Sequence, residues 1–190
     1  MPPSDLMTAE EFVAGREELP DGGRWVELVS GKLVTLSPPT IEHGTAVLNF
    51  SKALARHTQA NREGYACFEL GFLLSRRPDT LLFPAVSYFT SGPMFAESDK
   101  VLTETCPTLV VEVASTNDRR RDFDQRVSGW LNWGVPVVWV LDPQEKQVHA
   151  VEQGRGGQRL SEHQELLGGS VLPGFQVRVA ELFQVPAWAR

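Results

Sequence analysis

The stretch that most limits what this chain can fold into is residues 108–142, TLVVEVASTNDRRRDFDQRVSGWLNWGVPVVWVLD. It opens on an apolar run of strand length. Alternation puts Leu109, Val111 and Val113 on one face and Val110, Glu112 and Ala114 on the other. Glu112 alone is charged, so the run predicts a central strand covered on both sides. A carboxylate in that setting is costly unless it is paired or holds a metal. Ser115, Thr116 and Asn117 are then cap candidates, with Asp118 at the positive end of a helix dipole. Phe123, Val127, Trp130 and Leu131 recur at helical spacing, and Gly134 and Pro136 stop the helix. Asp122 and Arg126 lie four apart, placed to pair with each other or to lean over the strand's end. VPVVWVLD is a second buried strand. Such a strand–helix–strand unit joins parallel neighbours, and ligands collect at the carboxyl ends of the strands, where residues 115–121 begin.

Around this unit the rest reads more simply. Thr8 and Glu11 form a capping box for a short helix ending near Gly15. RWVELVSGKLVTLS alternates about Ser30-Gly31 as a hairpin, with Trp25, Glu27 and Val29 on one face. Residues 40–62 are helical, and Ile41, Val47, Leu48, Leu54 and Ala55 are taken as the apolar side. Residues 65–74 predict one strand, and residues 81–89 another, interrupted by Pro84. Residues 91–107 form a long polar loop. A return strand is expected at 146–152, short edge strands between 158 and 171, and a terminal helix at 179–183.

At 190 residues the chain is expected to form one domain, residues 1–190. Its net charge of −6 argues against nucleic-acid binding through the whole surface but leaves room for a local basic patch, for which Arg119, Arg120 and Arg121 are candidates. Cys67 and Cys106 have no partner spacing for zinc or a disulfide framework. No apolar run approaches ~20 residues, so no membrane span is expected. With no export signal at the N-terminus, a cytoplasmic location is expected. Phosphate loops, dinucleotide fingerprints and nucleophile elbows are absent from the sequence.

MTAEEF, WVELVSGKLV, SPPTIEHG, ELGFLLS, VVEVAS, DRRRDFDQR, GVPVVWVLDP and LPGFQVRVAELF follow one another in an order that resembles a known family. It is the bacterial restriction-endonuclease family of the Uma-two type, formerly a domain of unknown function, in the PD-(D/E)XK nuclease superfamily. The resemblance spans about residues 7–183. It implies an α/β fold with a restriction-endonuclease-like central mixed β-sheet, flanked by helices and extended by β-hairpins. It also implies Mg²⁺-dependent hydrolysis of phosphodiester bonds in DNA, and a homodimer; tryptophans such as Trp188 are candidates for its contacts.

Residue by residue, Glu112 matches the family's second carboxylate. The family's lysine lies on the following helix, where Arg126 stands here. The first carboxylate belongs to a Pro-Asp-Val stretch that reads Pro84-Ala85-Val86 in this chain, so Ala85 removes a metal ligand. Arg126 keeps the charge but is a poor general base. The resemblance thus implies Glu112 and Arg126 as catalytic residues and Glu112 as metal ligand, with Glu27 matching a glutamate common in the family; the residues themselves add Glu69 as a candidate for the missing metal ligand and His43, Arg119 and Arg120 as candidate substrate contacts. Plainer readings stand beside these: a surface pair between Arg126 and Asp122, a helix-start histidine at 43, solvated glutamates at 27 and 69, and a solvated arginine run. The alternative to an endonuclease is a catalytically inactive nuclease fold that binds nucleic acid or a protein partner.

Overall fold

The computed structural model describes residues 6–61 and 63–186. The capping box is formed at the start of α1 (Ala9–Gly15), with Thr8 accepting from the Glu11 N–H and Glu11 accepting in return. Phe12 of α1 is buried against Val26, Leu28, Leu73 and Leu81. After two short 3-10 turns come β1 (Val26–Val29) and β2 (Lys32–Thr35), paired as the predicted hairpin. Both turn residues, Ser30 and Gly31, have positive φ, as a tight hairpin turn requires.

The helix α2 (Ile41–Asn61) forms as expected, but only Leu54 and the partly buried Val47 of its predicted apolar side turn to the core. Ala46, Phe50, Ala53 and Leu54 face inward, while Ile41 is 87% exposed and Leu48 and Ala55 also face out. Small alanines allow the helix to approach the sheet closely, and Phe50 then meets the Trp139 ring edge-on at 5.9 Å. The predicted end near position 62 lies outside the described residues, as does Trp188.

The strands predicted at 65–74 and 81–89 are each divided. β3 (Tyr65–Phe68) and β4 (Gly71–Ser75) lie in different sheets, as do β5 (Thr80–Leu82) and β6 (Val86–Phe89). Pro84 removes a ladder hydrogen bond at the second break. At the first, Glu69 adopts φ 50° and turns the chain. The following loop contributes β7 (Leu102–Thr103), parallel to β4.

The central unit consists of β8 (Leu109–Val113), α3 (Asn117–Arg121), α4 (Phe123–Trp133) and β9 (Val137–Asp142), and β8 runs parallel to β9. The helix expected as one piece is broken at Asp122 (φ −103°, ψ 6°). β10 (Gln147–Glu152), β11 (Gly156–Leu160), β12 (Glu165–Leu167), β13 (Gln176–Arg178) and α5 (Val179–Leu182) complete the chain.

A six-stranded sheet, ordered β11-β10-β9-β8-β6-β3, carries the core, and a five-stranded sheet, β2-β1-β5-β4-β7, packs beside it. On one face of the larger sheet Leu109, Val111 and Trp139 meet α2 and α5. On the other, Val110, Val138 and Val140 meet Val127 and Trp130 of α4 and Phe72 and Leu82 of the smaller sheet. The face assignment of β8 is therefore as the sequence predicts, and Glu112 points towards α4 and the smaller sheet.

Candidate functional site

Glu112 lies 9% exposed and is not solitary. Arg126, one helical turn before Trp130 on α4, reaches back to the strand and donates to Glu112 Oε1 from Nε (3.1 Å) and Nη2 (2.8 Å). Trp130 Nε1 donates to the same oxygen at 2.7 Å. The guanidinium also forks onto Glu27, with Nη1 2.5 Å from Oε2 and Nη2 3.1 Å from Oε1. Glu27, 3% exposed, comes from β1 in the smaller sheet and accepts in addition from the Phe83 N–H at 3.0 Å. One arginine thus ties a carboxylate of each sheet across the seam. The seam is also where the chain changes sheets, so Glu69, Phe83 and Ala85 line the same cleft as Glu27, Glu112 and Arg126.

Electrostatics follow from this count. Burial disfavours the Arg126 cation, but the two carboxylates hold its pKa above the ordinary value, so it stays charged. One cation for two carboxylates leaves an excess negative charge. Burial pushes the Glu112 carboxyl up; Arg126 opposes that, and the neighbouring Glu27 charge adds to it.

Of the other predicted residues, Arg119 lines the cleft and is anchored by bonds from Nη1 to Ser37 O (2.7 Å) and Thr116 Oγ1 (3.0 Å). Asp118 fastens the same corner. Burial pushes its carboxyl up, but hydrogen bonds from the Ser37 N–H, the Thr116 hydroxyl and the Arg119 N–H outweigh that and hold it at about 2. Glu69 is exposed at the corner after β3, and its charge lies close enough to Arg16 to favour that cation against burial. Arg120 is not brought here. Its Nη1 is 2.5 Å from Asp142 Oδ1 and its Nη2 3.6 Å from Glu145, in a separate pocket with Phe123 and His149. Consecutive residues on a helix point about 100° apart, and Arg119 and Arg120 accordingly enter different pockets. Of the two readings of Asp122 and Arg126, the surface pair does not form: Asp122 pairs with Arg121 at 3.1 Å, and Arg126 reaches over the strand instead. Sequence reasoning missed Arg16 and Arg24 as cleft residues and the buried Trp130 as a donor to Glu112; the spacing of Arg126 and Trp130 was the available signal for the last.

His43 lines the cleft and its Nδ1 sits 3.0 Å from Ser115 Oγ. Burial, with help from the Arg119 charge, lowers its pKa from 6.5 to about 4. A depressed folded pKa means stability that is present above the unfolded value and lost as pH falls through the folded one. Allowing for partial solvent screening, unfolding stability should fall by about 1–2 kcal/mol between neutral pH and the lower limit of that window. His43→Gln should flatten this part of the profile in urea melts taken across the window.

The donor set does not fit a divalent cation. Glu27 gives both oxygens to Arg126, Glu112 gives Oε1 to Arg126 and Trp130, and Ala85 offers none. Among the described residues no three His, Cys, Asp or Glu side chains converge as a cation site. No helix among them is long and apolar enough to cross a membrane.

A mixed sheet with a buried glutamate on the strand entering a parallel crossover is the frame of restriction-endonuclease-like nucleases. The structure matches, at a TM-score of 0.76, the "Crystal structure of a putative nuclease belonging to DUF820 from Anabaena variabilis ATCC 29413". The two chains are 17% identical over 93% of this one and 97% of that one, a likeness that establishes the fold. Residues 13–180 match the Uma2 family, described as "Putative restriction endonuclease", and the chain belongs to that family. A comparison with curated proteins gave no match.

Proposed function

We propose that this nuclease-family chain binds DNA through the arginine-rich mouth of the cleft and that Arg126 has taken the place of its family's divalent metal. The observation that carries the reading is the guanidinium fork joining Glu27 to Glu112. A guanidinium supplies positive charge beside phosphates but neither acidifies a bound water nor takes up a proton at neutral pH. The cleft is lined by Arg16, Arg24, Arg119 and Arg126 against Glu27, Glu69 and Glu112, an excess of cations in a chain of net charge −6. Half-buried arginines anchored by backbone carbonyls are suited to hold phosphates at a fixed register.

A second reading, Mg²⁺-dependent phosphodiester hydrolysis, is favoured by the presence of Glu27, Glu69 and Glu112 along one cleft. Incubation of wild-type protein with plasmid DNA and Mg²⁺ or Mn²⁺ separates the two. The binding reading predicts intact plasmid together with a salt-dependent shift of labelled DNA in fluorescence anisotropy. Arg119→Gln should weaken that binding and reduce the salt slope by about one counterion. Metal-dependent nicking that disappears in Glu112→Gln would establish the second reading instead.

A further inference from the structure

Beyond Ala85 the cleft adjoins a groove of about 480 Å³ between the first turns of α2 and the corner after β3, with Pro39, Gly44, Val47, Leu48 and Phe68 along it. His43, Glu69 and Ala85 line both spaces, so the two are neighbours. Their chemistry differs. The cleft is lined by arginines, whereas the groove is largely apolar and carries the Phe68 ring, 50% exposed on the edge strand β3. Gly44 leaves bare helical backbone there, and a Cβ added to it would meet nothing within 4 Å.

A nucleotide has the same division, a charged phosphate joined to a flat, largely apolar base. We propose that the groove seats one unpaired nucleobase against Phe68 while the adjoining phosphate lies among the cleft arginines, so that the preferred ligand is single-stranded or locally opened DNA. This rests on the DNA-binding reading of the cleft. A base inside intact duplex has both faces stacked and its pairing edge occupied, and offers nothing to an aromatic platform. The groove is within the size range of a small-ligand pocket, and it is concave, unlike the broad patch used by a protein partner. His43 stands at the boundary, where its imidazole can donate to or accept from a base edge.

The test is fluorescence anisotropy with a short labelled single strand and with the matching blunt duplex, on wild type, Phe68→Ala and Gly44→Leu. Wild type should bind the single strand at least about tenfold tighter than the duplex. Each substitution should cost roughly tenfold on the single strand, the loss expected of one stacked base, and leave the duplex nearly unchanged. Gly44→Leu guards against a folding artefact, because it fills open space on a helix and leucine favours helix over glycine. Equal affinity for the two forms, or single-strand binding untouched by both substitutions, overturns the groove inference and leaves the cleft reading intact. Absence of salt-dependent binding to either form overturns both.

Discussion

Arg126→Met should destabilise the protein by about 3–5 kcal/mol, the cost of removing one partner from a buried charge group. The methionine fills much of the side-chain volume, so the loss is electrostatic rather than a cavity. Glu27 and Glu112 would be left facing each other across the sheet seam, with only the Phe83 N–H and Trp130 Nε1 to satisfy them. The expected pH dependence identifies the cause. Without the guanidinium, which opposes the shift, burial and the neighbouring Glu27 charge raise the folded Glu112 carboxyl further above the unfolded value of ~4.3. A raised folded pKa means that the stability is intact below the unfolded value and lost as pH rises through the folded one. The deficit against wild type, read by urea denaturation, should therefore be greatest near neutral pH and shrink below about pH 4. A deficit that is independent of pH would show that Arg126 acts through packing alone.

The second large effect is a gain. Ala85→Asp combined with Arg126→Lys should create a divalent-metal site and metal-dependent nicking of plasmid DNA. The registered pairs between β6 and β8 run Val86↔Val111 and Ser87↔Val110; continuing that antiparallel order by one residue sets Ala85 beside Glu112. An aspartate there adds the missing hard-oxygen ligand. Lysine keeps a positive charge but cannot grip two carboxylates in a planar fork, so Glu112 is released to share a cation. Metal-derived transition-state stabilisation of several kcal/mol corresponds to a rate rise of about 10²–10³-fold or more over wild type. Ala85→Asp alone should do much less, because Arg126 would bind the new carboxylate as it binds the other two. Cleavage by the single variant equal to that of the double variant would show that Arg126 does not block the site.

The β8–α4–β9 unit was legible because strand alternation, helical spacing and the helix stop agree there, although the helix breaks at Asp122. The alternating faces of β8 and the stop at Gly134, whose φ is 116°, are as the residues demand. That Glu112 needs a partner was also readable; the identity of the partner set was not. Glu27 is 99 residues from Arg126 in sequence, and no periodicity reports which of two sheets will meet at a helix. The local rule favoured Asp122, four residues away, and burial of Arg126 overrode it. The split of YACFELGFLL between two sheets was hidden for a related reason. Its apolar run continues through the break, and the turn is made by a glutamate at positive φ rather than by glycine or proline. On α2 the larger Ile41 and Leu48 outweighed the small Ala46 and Ala53 that pack against the sheet.

The most direct test of the arginine-for-metal exchange is calorimetric titration of Mn²⁺ into the wild-type protein and into the Ala85→Asp, Arg126→Lys double variant. The exchange predicts no saturable binding to wild type below millimolar metal and one bound ion per chain in the double variant. Wild-type binding of one ion at micromolar affinity, abolished by Glu112→Gln, would contradict it.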